Sequence, residues 1–142
     1  NTRSRGLGDV YKRQALGADM YDCVYPTRTA RFGTALVPSG TIRLPQAVME
    51  GDDRPIDETC GCPVCKKYTR SMLHRLVGTD SHGAILVSIH NVYYMQRLMR
   101  EIREAIVQQK FPEYVRRFMA QQYPEGAPGW VVNALKAAEI DL

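Results

Sequence analysis

"DETCGCPVCKK", residues 57–67, sets Cys60, Cys62 and Cys65 within six positions of a chain whose only other cysteine is Cys23. A disulfide framework suits them poorly, because Cys60 and Cys62 stand too close for an easy bridge and any one pair strands the third thiol. A metal accounts for them better. Zinc takes thiolate and imidazole ligands tetrahedrally, so C-x-C-x2-C needs one more Cys or a His to close a structural site. His74, His82, His90 and Cys23 are the candidates for that fourth position. His90 lies in "AILVSIHNVYYMQRLMREIREAIVQQ", where Ile85, Ile89, Val92, Met95, Met99, Ile102 and Ile106 recur at three- and four-residue spacing. That periodicity predicts an amphipathic helix, and a His beside its apolar stripe can face inward.

The whole chain sets the frame for this cluster. Its 142 residues, 44% apolar and 24% charged, read as one modest, soluble, globular domain. No apolar run reaches membrane-spanning length and no secretory signal is visible. Clustered cysteines without such a signal point to a reducing, cytosolic setting. The net charge of +4 is concentrated at the start: "NTRSRGLGDVYKRQ", residues 1–14, holds four Lys or Arg and one Asp. The rest has 15 basic and 14 acidic residues, so any nucleic-acid contact there must come from a few placed side chains. Fourteen of the 19 basic residues are Arg, the planar, bidentate choice for phosphate and base edges.

Along the chain, residues 1–14 show no apolar periodicity and are expected to be a leader foreign to the fold, disordered or artefactual. "MYDCVYP" is β-rich and stopped by Pro26, which predicts a buried strand ending in a loop. An Asp inside such a strand end is unusual enough to make Asp22 a candidate functional carboxylate. Asp19, three residues earlier, would point to the opposite face of an extended strand. "GTALV" and "TIRL", with Pro38, Ser39 and Gly40 between them, predict two strands joined by a tight turn. After the cysteines, "CPVCKKYTRSMLHRLVG" predicts one helix with Val64, Tyr68, Met72 and Leu76 on a shared face and Gly78 as its stop. "FPEYVRRFMAQQY" and "PGWVVNALKAAEI" predict two more helices.

Taken in order, "ADMYDCVYPTRTARFG", "RPID", "CGCPVC", "YTRSMLHRL" and "HNVYYMQRLM" resemble the C-terminal part of the queuine tRNA-ribosyltransferase (tRNA-guanine transglycosylase) family. "ARFG" and "FPEYVRRFM" are more similar to its eukaryotic catalytic subunit than to bacterial members. The resemblance implies an α/β fold, the last strands of a (β/α)8 TIM barrel with a zinc-binding subdomain and closing helices. Such barrels need about 250 residues, so the chain is expected to be a fragment of a longer enzyme, inactive alone. On this reading residues 15–45 hold the last barrel strands and the nucleophile loop, and 46–142 the zinc subdomain and C-terminal helices. Residues from Cys60 to Met119 would hold together on the metal, while those up to Leu44 would lack neighbours.

The resemblance also assigns roles. Asp22, the second aspartate of the motif, becomes the nucleophile that forms a covalent ribosyl ester while anticodon guanine is exchanged for queuine or a related 7-deazaguanine. Arg28 and Arg31 become contacts to the uridines of a U-G-U element in the tRNA anticodon loop. The zinc ligands become Cys60, Cys62, Cys65 and His90, a closed structural site with one Zn2+ per chain. Cys23 is then a buried small apolar residue, and His74 and His82 are surface residues. The general base and most of the base pocket belong to segments upstream of Ala15. A non-catalytic homologous subunit is implied as heterodimer partner, and the cytoplasm as location, with the mitochondrial outer membrane as a peripheral site.

Two rival readings remain open at this point. The chain resembles, second, the zinc-containing non-catalytic partner subunit itself, although "YDCVYPTRTAR" argues for the catalytic one. A zinc nucleobase deaminase needs an H-x-E motif ahead of the cysteines, and none is present.

Overall fold

A computed structural model describes residues 17, 18 and 20–142; residues 1–16, which include the expected leader, and Asp19 lie outside the described residues. Residues 20–24 adopt no regular structure, and helix α1 begins at Tyr25 and runs to Ala30. The strand expected over "MYDCVYP" is therefore absent. Pro26 sits in the first turn of α1, where its missing N–H is harmless and its fixed φ suits a helix. The Thr29 hydroxyl donates to the Tyr25 carbonyl at 2.8 Å within the same turn. No described strand pairs with this stretch, and an unpaired strand leaves its backbone groups unsatisfied.

The expected hairpin is present. Strands β1 (Thr34–Val37) and β2 (Gly40–Arg43) run antiparallel, Thr34 opposite Arg43 and Val37 opposite Gly40, closed by Pro38 and Ser39. They form the one sheet among the described residues, so the described chain is a mainly helical α/β structure. Gly33, ahead of β1, has φ +67°, and a Cβ there would meet the Pro45 ring at 2.8 Å. Only glycine serves both demands.

A loop then leads through the cysteines into α2 (Pro63–Lys67), α3 (Arg70–Thr79) and α4 (Ser81–Val107). The single helix expected over residues 62–78 is thus two. Tyr68 is extended, and Thr69 caps α3 by accepting from the Met72 amide at 3.2 Å. The Arg70 and Ser71 amides donate outward to the Arg54 and Asp52 carbonyls instead of continuing α2. Met72 is consequently exposed, and Gly78 lies inside α3. Asp80 makes the stop, its carboxylate accepting from the His82 amide at 2.9 Å as α4 starts. Gly83 lets the two helices touch: a Cβ there would come within 2.6 Å of Leu76 and Val77 backbone atoms.

Val24–Met99 forms one compact unit. Its core gathers Ala30, Ala35, Val37 and Leu44 with Ile56, Cys60, Cys62, Val64, Leu73, Leu86 and Val87. The hairpin therefore has neighbours in this chain, against the expectation that everything up to Leu44 lacks them. The face of α4 that is buried also differs from the expected stripe. Leu86, Val87, His90, Asn91, Tyr94, Leu98, Ile102 and Ala105 are buried, whereas Ile85, Ile89, Val92 and Ile106 are at least 41% exposed. Periodicity fixed the helix but not its phase. A polar pair, His90 and Asn91, occupies the core face because every hydrogen bond it needs is waiting there.

Arg100–Leu142 belongs to a second unit. Here α5 (Phe111–Gln122) and α6 (Gly129–Ala137) match the expected helices. Tyr114, Val115, Phe118, Met119, Val131, Leu135 and Ile140 are buried, and the Tyr114 and Phe118 rings stack at 6.3 Å. Among the described residues no helix is long and apolar enough to cross a membrane.

One electrostatic tie fixes the loop before the cysteines. The Asp52 carboxylate accepts from Arg54 at 2.7 Å and Arg70 at 3.0 Å, and Arg70 also donates to the Pro55 and Ile56 carbonyls. Arg54 foremost, then its amide and Arg70, hold the Asp52 carboxyl well below its ordinary value of 3.8. A depressed folded-state value contributes stability that is fully present above the ordinary value and is lost as pH falls from there through the depressed value. Asp52→Asn is expected to lower Tm by about 5 °C near neutrality, the shift for about 1 kcal/mol in a unit of this size. The gap to wild type should begin to narrow below about pH 5 and go on narrowing as pH falls past the ordinary value toward the depressed one. A gap that stays constant over that range would show that the carboxylate charge is not what holds the loop.

Candidate metal centre

Cys60, Cys62, Cys65 and His90 converge with their ligand atoms all within 4.8 Å of one another. Pro63 opens α2 between the second and third cysteines, and the Cys65 amide donates to the Cys62 sulfur at 3.3 Å. This tight turn aims both sulfurs at one point. His90 arrives from the middle of α4 and is fully buried. Its Nε2 lies 2.8 Å from the Leu36 carbonyl, an acceptor only, so Nε2 carries the proton and Nδ1 presents its lone pair to the sulfurs.

The spacing fits a tetrahedral ion. Zinc bonds of about 2.3 Å to sulfur and about 2.0 Å to nitrogen put those atoms roughly 3.6 Å apart. His90 Nδ1 lies 3.8, 3.5 and 3.3 Å from the sulfurs of Cys60, Cys62 and Cys65. Burial pushes the Cys60 and Cys65 thiols up, Cys65 further because Cys60 and Cys62 crowd it. Burial likewise pushes the His90 imidazole down, keeping it neutral. Three thiols packed this way become thiolates only when a cation shares their charge. The four side chains are placed to bind one metal ion, consistent with a structural zinc. With four protein ligands no position remains for a reacting water.

A second layer holds the ligands, and sequence reasoning missed it. Asp57 is buried, accepts from the Thr59 amide and hydroxyl at 2.8 and 2.7 Å, and pairs with Arg97 at 2.9 Å. Burial alone would raise its carboxyl, but the Thr59 and Arg97 donors outweigh it and lower the value. Arg97 also donates to the Thr59 carbonyl, which fastens the loop ahead of Cys60 to α4. Asn91, next to His90, is fully buried and makes three hydrogen bonds to backbone groups before Val37. The sequence signal was present: about two helical turns separate His90 from Arg97, which puts them on one face of α4, and Asp57 stands three residues before Cys60.

The other sequence-derived residues are placed differently. Asp22 is exposed in the irregular stretch, not at a strand end. Arg28, in the last turn of α1, and Arg31, just beyond it, are exposed, and no described hydrogen bond or ion pair engages either guanidinium. Cys23 is exposed rather than buried, in the irregular stretch ahead of α1. His82 is at the surface as expected, but His74 is half-buried and donates from Nδ1 to the Leu44 carbonyl at 2.7 Å.

A closed Cys3His centre in the core, joining a hairpin, a knuckle and a long helix, defines a domain stabilised by a structural metal. The chain belongs to the queuine tRNA-ribosyltransferase family, whose model matches residues 8–124. It is 43% identical over 139 residues to the queuine tRNA-ribosyltransferase catalytic subunit of Schizosaccharomyces pombe, covering 90% of this chain and 34% of that protein. It is 47% identical over 109 residues to the catalytic subunit of Caenorhabditis elegans, covering 76% of this chain and 27% of that one. To the queuine tRNA-ribosyltransferase of Thermus thermophilus it is 39% identical over 130 residues, 91% of this chain and 34% of the relative. The chain thus spans about a third of the length of the curated relatives it matches.

Proposed function

We propose that this chain is the zinc-bearing part of a tRNA-guanine transglycosylase that exchanges the wobble guanine of an anticodon for queuine or a related 7-deazaguanine. Membership of the family carries the reading, with the Cys3His centre as its structural support. Zinc, when bound, supplies no chemistry to the exchange; it fixes the fold around Leu36 and His90. The exposed row Ile85, Ile89 and Val92 on α4 supports a larger assembly, in which the rest of a (β/α)8 barrel covers it.

In the proposed reaction an Asp22 carboxylate oxygen attacks ribose C1′ as the bond from C1′ to guanine N9 breaks. The electron pair of that bond leaves with guanine, which takes a proton from solvent or a general acid. The incoming base then attacks C1′ through its ring nitrogen, the ester bond breaks, Asp22 is regenerated and the nitrogen's proton goes to solvent or a base. Two displacements give retention. Arg28 and Arg31 offer unengaged guanidiniums on an exposed turn, suited to the open edges of unpaired uridines flanking the guanine in a U-G-U element. A homologous non-catalytic subunit is the proposed partner, and the cytoplasm the proposed location.

The test of the activity is a chimera in which this chain replaces the matching third of the Schizosaccharomyces pombe catalytic subunit, assayed with its partner for exchange of labelled guanine in tRNA. No exchange by a folded, zinc-loaded chimera would count against it. The RNA contacts are tested separately. Arg28→Ala and Arg31→Ala should each weaken binding of an anticodon hairpin by about 1–3 kcal/mol while Tm stays unchanged. Unchanged affinity in both would leave them as solvated arginines.

A further inference from the structure

Asn91 touches three points of the segment that carries Arg28, and none of them lies in the metal site. Its Oδ1 accepts from the Leu36 amide at 2.9 Å, while Nδ2 donates to the Pro26 carbonyl inside α1 and to the Thr34 carbonyl at the head of β1, both at 2.9 Å. One acceptor and two donors are all matched, and that matching fixes which way the amide points. The neighbouring His90 grips the same strand: Nε2 donates to the carbonyl of Leu36, the residue whose amide Asn91 receives. His90 is in turn held through Nδ1 by the three cysteines. The dipeptide at 90–91 therefore links the cluster of metal-ligating side chains, β1 and α1 in an unbroken chain of contacts, all in one compact unit.

Helix α1 is short. It has six residues, no side-chain cap at its start, and only Pro26 and Ala30 buried. A helix that short has no stability of its own, so its position depends on tertiary ties. Arg28 projects from its last turn and is exposed.

We infer that Asn91 is a positioning residue for RNA recognition: it holds the Tyr25–Ala30 turn, and so the Arg28 guanidinium, in a place set by the metal centre. Asn91 itself meets no RNA. The RNA half of this inference rests on the reading of Arg28 above, whereas the positional half does not.

Asn91→Asp is the discriminating variant, since a carboxylate still accepts from the Leu36 amide but cannot donate to the Pro26 and Thr34 carbonyls. The zinc-loaded 142-residue chain is expected to keep one zinc and wild-type hydrogen-exchange protection over α3 and the 81–98 part of α4. The amides of Arg28, Phe32 and Gly33, which close α1 and the turn after it, should exchange at least roughly tenfold faster, the effect of losing about one net hydrogen bond. Affinity for a U-G-U hairpin should fall by about tenfold, and adding Arg28→Ala should cost less than it does in wild type. Unchanged exchange at those three amides overturns the inference. Faster exchange with unchanged hairpin affinity overturns its RNA half, and a wild-type chain that binds no hairpin sinks the reading of Arg28 while leaving the exchange arm decisive. Asn91→Ser, which lacks the length to reach all three partners, is the second variant. Loss of zinc or of α3 protection in both variants would make Asn91 a general core residue and overturn the inference as well.

Discussion

Asp22→Ala in the chimeric enzyme is expected to abolish base exchange by a factor on the order of 10⁴ to 10⁶, as loss of a covalent nucleophile does, and to leave Tm unchanged. The two halves of this expectation have separate origins. Asp22 is exposed and forms no described hydrogen bond or ion pair, so its removal falls among surface changes worth within about 0.5 kcal/mol. The chemical loss follows from the proposed ester: without the carboxylate, no oxygen traps C1′ and no covalent RNA adduct should survive on denaturing gels. Asp22→Asn should behave the same way, because a carboxamide forms no stable ester. The arginines should split differently, with Arg28→Ala and Arg31→Ala raising KM more than they lower kcat, since they grip RNA in ground and transition states alike. Exchange retained in Asp22→Ala would remove the nucleophile assignment, and a large drop in Tm would mean that Asp22 is structural in the longer enzyme.

The cysteine knuckle was fully legible, because three thiols at that spacing admit few other uses and the chemistry of zinc dictates a fourth ligand. His90 was legible only as one of four candidates until the resemblance singled it out; the structure adds why it serves, through the Leu36 carbonyl that fixes its tautomer. Spacing also revealed α4, but not which side of it faces the core. Around a helix with two interleaved apolar rows, the buried one is chosen by tertiary partners, and here the choice went to His90 and Asn91 with Leu86 and Leu98 rather than to Ile85 and Ile89. The misread strand at "MYDCVYP" has a similar cause. β-propensity describes fit to a half-buried pleated surface, and no described surface of that kind adjoins the segment, so the local preference of Pro26 for a helix start prevailed. The break at Tyr68 was hidden for the same reason, since its causes are the Asp52 and Arg54 carbonyls, 14 or more residues away in sequence.

Removal of the metal is expected to unfold Val24–Met99 as a unit, hairpin included. The site lies at the centre of the core: Cys60 and Cys62 belong to the same buried cluster as Ala35, Val37, Leu44 and Leu73. A structural zinc contributes roughly 10 kcal/mol or more to the folded state, which equals or exceeds the net stability of about 5–15 kcal/mol typical of a domain. Without it, neutral thiols and an imidazole fill a site shaped for an ion, and His90 loses the ligand bond that orients it toward Leu36. Chelation should therefore abolish hydrogen-exchange protection at Leu36 and Leu44 as completely as at Leu73 and Leu86, and re-addition of zinc should restore all four together. Cys62→Ala and His90→Ala should each lose the metal by direct analysis and show the apo exchange pattern. Cys23→Ala, altering an exposed thiol outside the cluster, should keep one zinc per chain. Stoichiometric zinc in His90→Ala would place the fourth ligand elsewhere. Protection that persists in the hairpin after chelation would show that β1 and β2 are held by the apolar core alone, with the metal fastening only the loop from Asp57 to Lys67.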